Sequence, residues 1–540
     1  MNNKKLAAFL SAVMYSILSL FSVEATAEPA VQKVEKGAIV MEGMPTLDEH
    51  LAKTVGRYAE IRHAALVDWM PGGRSLLIRT RFGEVNQLHE VAAPMGARKQ
   101  LTFFTEPVSV TAIRPIKSHR QVAYLRDEAG AEDYQLFLFD LNDDTHIPIS
   151  KNKSRVSSLL WSPSGRLLMY SSNERNGVDF DVYVYYPETK ATKRVYEVIG
   201  SFSVLAISSD DRLAIVRQYI SVNESRLVLL DIESGRVEPV RVLPGKVAYD
   251  QVQFSADNRF LYVIHSGKGE FKTLSKLELA NGVLTPIAEP HQWDVEQFVL
   301  DPKTEVLIYS VNEEGRDRLY ARNLKTQENF SLPELPVAVI SNMSLSPDGS
   351  RLALSYSSAK TAGDVFVSTL NDPKWEAWTE SEIAGLDGKR FVAPQLIRYP
   401  SFDQNKQGTR TIPAWIYKPA SRAGEKIPVV IHIHGGPESQ ARPSFNETAQ
   451  FLAAELGVAM IMPNVRGSSG YGESYVNLDN GFLREDAVKD IGALLDWLTT
   501  QPDLDSERVL VWGGSYGGYM VLASICLLYT SDAADEEDSV

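Results

Sequence analysis

Near residue 515 the chain reads Gly513-Gly514-Ser515-Tyr516-Gly517, a G-x-S-x-G motif that Gly518 extends. Such a motif makes a sharp strand-to-helix turn that lifts the serine hydroxyl above a sheet. The turn crowds the backbone, so the positions two before and two after the serine must be small. A serine hydroxyl is a weak nucleophile until a nearby base accepts its proton. The chemistry implied is acyl transfer, with Ser515 as nucleophile and the Tyr516 backbone N–H aimed at the developing oxyanion. Glycine-rich turns with serine also occur by chance, so context decides. Here an apolar run, RVLVWGG, leads straight into Ser515, and helix-compatible sequence follows it.

A second part lies about 80 residues upstream, where His434-Gly435-Gly436-Pro437 follows the apolar run VVIHI. This is where the oxyanion loop of an α/β-hydrolase belongs, and its glycines let a backbone N–H approach a substrate carbonyl. Gly436 is the first choice for that donor and Gly435 the second. His434 is a tempting base, but the usual chain order is nucleophile, acid, then histidine. A structural role near the strand end is the reading taken for His434 and His432.

The elements around these residues alternate between strand and helix, as in a parallel α/β sheet. TIPAWIYKP, VVIHIHGG, VAMIMPN and RVLVWGG read as strands, the last as another buried one. ETAQFLAAELG reads as a helix ended by Gly457. REDAVKDIGALLDWLTTQ is amphipathic, with Val488, Ile491, Leu495 and Leu498 at helical spacing.

The first half is different, because it repeats. An apolar or aromatic residue, a turn of Pro, Ser, Asp or Gly, a basic residue and a β-rich run recur seven times. The units are anchored at Pro71, Pro115, Pro163, Ser209, Ala256, Pro302 and Pro347. The anchors lie 44 to 48 residues apart, near the period of a four-stranded propeller blade. The spacing predicts a seven-bladed β-propeller over residues 61–373, followed by an α/β-hydrolase domain over 374–525; 28–60 is an N-terminal segment. A β-sandwich array fits the even spacing poorly. A propeller alone assigns no chemistry.

Composition agrees with a chain of at least two folded domains: 44% hydrophobic, 23% charged, formal net charge −14. The acidic balance excludes the basic footprint of a nucleic-acid binder. Neither H-E-x-x-H nor C-x-x-C spacing nor a dinucleotide fingerprint occurs, so no metal and no cofactor is expected.

HGGPESQARPSF, NVRGSSGYGESY and RVLVWGGSYGGYM together resemble the prolyl oligopeptidase family, nearest its acylaminoacyl-peptidase and dipeptidyl-peptidase-like branches. The resemblance covers residues 28–525, since that family joins a β-propeller to an α/β-hydrolase. It implies a serine peptidase acting on short peptides, with Ser515 as nucleophile, the backbone of Tyr516 and Gly436 as oxyanion hole, and a propeller that restricts access. Arg466 falls in a stretch that lies near the active site in relatives, and is read as a charge pinning a loop. In dipeptidyl-peptidase relatives propeller acids hold the substrate's N-terminus. Asp127, Glu128, Glu132 and Asp133 are read here as a solvated hairpin, with that role as the alternative. An esterase of the same fold and a non-catalytic propeller scaffold are the competing functions. Dipeptidyl, acylaminoacyl and oligopeptidase specificity are left open, as is oligomeric state.

The chain departs from the family at its end. The triad acid and histidine should follow the nucleophile, yet none of the nine histidines lies after Ser515. The last run, 526–540, reads CLLYTSDAADEEDSV and resembles the translation of a transposon-based sequencing adapter. A helix launched after Ser515 is expected to break there into an acidic tail. The reading is therefore a hydrolase domain incomplete at its C-terminus, and a chain inactive by itself. At the other end, Lys4 and Lys5, an apolar stretch over 6–23 and Ala25-Thr26-Ala27 read as a signal peptide, 1–27. The protein is expected to be exported, periplasmic or extracellular, without stable membrane insertion.

Overall fold

The computed structural model describes residues 33–535 except 45–47, 152, 242–244, 268 and 421–423. The expected signal segment lies outside the described residues. The described residues fall into two units that divide between Gly56 and Arg57. In the first, strands Lys33–Lys36 and Ile39–Glu42 form an antiparallel hairpin.

In the second unit, seven consecutive four-stranded antiparallel sheets run from Ala65 to Ala377. The first strand of each sheet packs against that of the next, and the seventh against the first, so the blades close a ring. The repeated turn joins the first and second strand of each blade, and its residue types have a physical cause. In blade 4 the Ser208 hydroxyl donates to Asp210 and accepts from the Leu213 N–H. Blade 5 repeats this with Ser255, Asp257 and Phe260, and blade 7 with Ser346, Asp348 and Arg351. The residue closing these turns is left-handed: Asp211, Asn258 and Gly349 have φ of +62°, +58° and +69°. Asn, Asp and Gly tolerate that conformation.

The ring closes without sharing a strand between blades 1 and 7. Side chains do the joining. Asn342 Nδ2 donates to the Leu66 and Val67 carbonyls at 3.1 and 2.9 Å, and Trp69 Nε1 to the Ser344 carbonyl at 3.2 Å. Trp69 and Trp378 meet edge to face in a buried cluster with Leu66, Ile78 and Val365. The last strand of blade 7 is Glu376–Ala377, and the next sheet begins at Gln395.

That sheet has five strands: β1 (Gln395–Asn405), β2 (Gly408–Tyr417), β3 (Ile427–Ile433), β4 (Ala459–Pro463) and β5 (Leu504–Gly513). Their order is β1-β2-β4-β3-β5. β3 pairs in parallel with both β4 and β5, while β1 and β2 are antiparallel. Helix α1 (Glu447–Phe451) continues as one wider turn over Leu452–Leu456 and stops at Gly457, φ +66°. Helix α2 (Arg484–Thr499) buries Val488, Ile491, Leu494 and Leu498 against Ile431, Ile433 and Ile461 of the sheet. Helix α3 (Tyr516–Asp535) begins at the residue after Ser515.

Two expectations need correction. RVLVWGG is not a strand buried on both faces: Leu510 is 61% and Trp512 44% exposed. β5 is an edge strand, as β1 is at the other end of the sheet, with a partner on one side alone among the described residues. The helix after Ser515 also does not break at residue 526. It runs to Asp535, because Ala, Leu, Asp and Ser carry no proline or glycine stop.

Candidate active site

β5 delivers the chain to Ser515, and α3 takes it away. The reversal is achieved at one residue: Ser515 has φ +54°, a left-handed conformation in a non-glycine residue. That conformation costs about 1–2 kcal/mol and persists where its surroundings enforce it. The enforcement is visible at the flanking glycines. A Cβ on Gly517 would fall inside the Ile433 carbonyl oxygen, and one on Gly513 would lie 2.6 Å from the Gly517 carbonyl carbon. Gly514 is under no such constraint, since nothing lies within 4 Å of its absent Cβ.

The Ser515 side chain is exposed and its hydroxyl makes no hydrogen bond among the described residues. Tyr516 is the first residue of α3, so its N–H has no intrahelical acceptor. The loop after β3 comes up beside the serine. A Cβ on Gly435 would lie 3.4 Å from Ser515 Cβ and 3.9 Å from Ser515 Oγ. Gly436 follows with φ +129°, where a side chain would also strike the Glu438 N–H. The structure thus brings Ser515, Tyr516, Gly435 and Gly436 together at the top of adjacent parallel strands.

His434 is buried, and both its ring nitrogens have other partners. Nδ1 lies 2.7 Å from the Gly435 carbonyl and Nε2 2.9 Å from Ser468 Oγ. Burial lowers its pKa below the usual imidazole range. His432 stacks obliquely on Trp512, and burial lowers its pKa as well. Neither ring hydrogen-bonds to Ser515 among the described residues.

The Tyr516 ring is fixed from below. Its hydroxyl donates to Asp479 at 3.4 Å, Arg484 lies over its face, and Asp479 pairs with Arg484 at 2.6 Å. Burial raises the Tyr516 pKa. Asp479 occupies the space a side chain at Gly467 would need, which explains that glycine in NVRGSSGYG. Sequence reasoning missed Asp479 and Arg484, whose charges carry no motif.

Arg466 is buried and bonds to groups other than Ser515. Its Nε and Nη2 reach the two Asp490 oxygens at 2.9 and 2.8 Å, and Nη2 also reaches Asp403 at 3.0 Å. Ser401 donates to Asp490 at 2.5 Å, and Phe402 lies under the guanidinium. Burial opposes the charge, but the two carboxylates more than offset it and raise the Arg466 pKa. Arg466 ties β1, the loop after β4 and α2 into one body.

The acidic hairpin of blade 2 is less organised for ligand binding. Asp127 is buried and accepts from the Glu132 N–H at 3.3 Å, while Glu128, Glu132 and Asp133 are exposed. Among the described residues no group of three or more His, Cys, Asp or Glu side chains is placed to hold a metal, and no helix is long and apolar enough to cross a membrane.

Comparison with known proteins agrees with this architecture. Residues 105–381 match the prolyl oligopeptidase N-terminal beta-propeller domain, and residues 443–527 match the prolyl oligopeptidase family. The dipeptidyl aminopeptidase BIII of Pseudoxanthomonas mexicana is 24% identical over 436 residues, covering 76% of this chain and 60% of that one. An uncharacterized peptidase of Bacillus subtilis, YuxL, is 31% identical over 185 residues, 34% of this chain and 27% of its own. A solved prolyl endopeptidase superposes with a TM-score of 0.74 at 14% identity, over 88% of this chain and 72% of that one. A propeller joined to an α/β sheet, with a serine on the turn after a parallel strand, defines the class. The chain belongs to the prolyl oligopeptidase family of serine peptidases. It spans less than two thirds of the length of these curated relatives.

Proposed function

We propose that this chain carries the nucleophile and oxyanion hole of a serine peptidase that hydrolyses short peptides through an acyl-enzyme on Ser515. The observation that supports this best is the left-handed Ser515, held against the Gly435 backbone by glycines that admit no Cβ. In the first step Ser515 Oγ bonds to the peptide carbonyl carbon, and its proton passes by way of a general base to the departing amine. The oxyanion is stabilised by the N–H groups of Tyr516 and Gly436. Water then cleaves the ester and restores the serine. The propeller restricts access to short chains.

No histidine follows Ser515, both ring nitrogens of His434 are bonded to other groups, and the His432 ring packs on Trp512. The general base and its acid are therefore assigned to a part of the gene product outside these 540 residues, and the 540-residue chain alone is inactive on this reading. Residues 526–540 are read as foreign to that gene product. Export is proposed from the 1–27 signal pattern.

The test is hydrolysis by the intact gene product of a set of short peptides with free and blocked N-termini. Turnover of at least one, lost on Ser515→Ala, is the expected result. Undiminished turnover by S515A, or a gene whose downstream frame encodes no His, overturns the proposal.

A further inference from the structure

The loop that carries Gly436 continues through residues 437–442, and this stretch is gripped from two sides. The first grip belongs to the α/β domain. Asn464 is fully buried and clasps Ala441 twice: its Oδ1 accepts from the Ala441 N–H at 2.7 Å, and its Nδ2 donates to the Ala441 carbonyl at 3.0 Å. The Ser469 N–H donates to the Ser439 carbonyl at 2.9 Å.

The second grip comes from the propeller. In blade 6 the strands Val306–Glu313 and Arg316–Asn323 are joined by a tight turn at Glu314 and Gly315, φ +56° and +98°. Both left-handed conformations are those of a primed hairpin turn. A Cβ on Gly315 would lie 3.1 Å from Trp415 Nε1 and 3.7 Å from the Ala441 carbonyl, so the hairpin tip touches the α/β domain with bare backbone. The Gly315 carbonyl accepts from Arg442 Nε at 2.8 Å. Arg442 Nη2 donates to Asp317 Oδ1 at 2.8 Å. Asp317 is buried, and its other oxygen accepts from the Ile340 N–H of blade 7 at 2.7 Å, which fixes the carboxylate to the ring. Asn312, also buried, donates to Gln440 Oε1 at 2.7 Å and to Glu296 at 2.8 Å, while its Oδ1 accepts from the Gly315 N–H.

Two buried propeller side chains are thus bonded to positions 440 and 442, four and six residues after Gly436. A buried ion pair adds little net stability once desolvation is counted, but it fixes geometry. Oxyanion donors must be held to about 0.5 Å to be useful. We propose that Asn312 and Asp317 of blade 6 are positioning residues for the oxyanion loop, so that the propeller holds part of the catalytic apparatus as well as covering it. This rests on the reading of Ser515 and Gly436 given above. The donor itself is Gly436; Asn312 and Asp317 act through Gln440 and Arg442.

The experiment compares the intact gene product with its Asn312→Ala, Asp317→Asn, Arg442→Ala and Arg442→Lys variants. It measures the rate at which a fluorophosphonate modifies Ser515, kcat and KM on a peptide amide, and melting temperature. N312A, D317N and R442A are expected to slow phosphonylation and lower kcat by about 10-fold or more, the scale of a sub-ångström misplacement. KM stays within about 2-fold, because the lost interaction is made in the transition state. R442K, which keeps the charge facing Asp317, recovers part of the rate. A purely structural contact would shift melting and leave the rates of folded protein alone. Folded variants that are phosphonylated at the wild-type rate overturn the inference. N312A removes no charge and decides the matter if D317N does not fold. A wild-type protein never modified at Ser515 overturns the serine reading, and this inference with it.

Discussion

In most propeller blades the outermost strand has only two or three residues, as in Arg98–Gln100, Val237–Pro239, Asn329–Phe330 and Glu376–Ala377. In the α/β sheet the outermost strand beside the site, β5, has ten residues and ends in VLVWG, with Leu510 and Trp512 exposed. Helix α3, packed next to it, exposes Leu522 and Ile525. Short and charged edges are how proteins prevent unwanted strand pairing. The propeller ring is therefore closed upon itself, whereas among the described residues the sheet ends in a singly paired strand on each side, β1 on one and β5, which leads to Ser515, on the other. The serine turn is nevertheless well formed, because its geometry is set by contacts with β3 and the Gly435 loop, not by the open edge.

The sharpest break of that picture is at the turn. Gly517→Ala is expected to reduce Ser515 phosphonylation in the intact gene product by at least about 100-fold, since its Cβ would displace the Ile433 carbonyl. Gly514→Ala, three positions away with open space around it, should leave stability within about 0.5 kcal/mol and labelling unchanged. Equal effects would show that the turn is not held by the contacts described.

Next in size is Arg466→Met. It strands Asp490 without its cation among buried groups, and should destabilise the α/β region by about 3–5 kcal/mol. In urea the tryptophan-monitored transition of that region moves while the propeller's does not. A common shift of both would mean that the two regions unfold as one.

The propeller has its own marker in Asp294, whose pKa burial raises to about 6. An unfolded aspartate titrates near 3.9, so between about pH 4 and pH 6 the folded state holds a proton that the unfolded state has lost. Propeller stability should thus rise as pH falls from about 6 to about 4, and be flat in this respect above it. Asp294→Asn removes the slope; a slope unchanged in D294N assigns it elsewhere.

The smallest effect on stability, and a direct probe of the open edge, is Leu510→Lys. It should change stability by under about 0.5 kcal/mol yet reduce concentration-dependent association of the 540-residue chain in sedimentation. Undiminished association would place the sticky surface elsewhere.

These regions also differ in how far they could be read from residues alone. The blades announce themselves through a recurrent first turn, which in blades 4, 5 and 7 is a Ser-Asp clasp closed by a left-handed Asp, Asn or Gly. The serine turn does so because Gly513 and Gly517 have no alternative. The open edge was hidden: VLVWG has the same apolar pattern whether one face is covered or two. The helix beyond residue 526 was misread because its acidic composition outweighed the absence of a stop. Partners far apart in sequence were also invisible. Asn312 meets Gln440, and Asp317 meets Arg442, across more than a hundred residues with no shared motif. Arg466 was singled out and read as a pin, but its partners Asp403 and Asp490 could not be chosen among many acids.

The most direct measurement is mass spectrometry of the intact gene product after reaction with a fluorophosphonate. The adduct is expected on the tryptic peptide containing Ser515, at one equivalent, and absent from S515A. An adduct on any other residue, or full labelling of S515A, would contradict the assignment of the nucleophile.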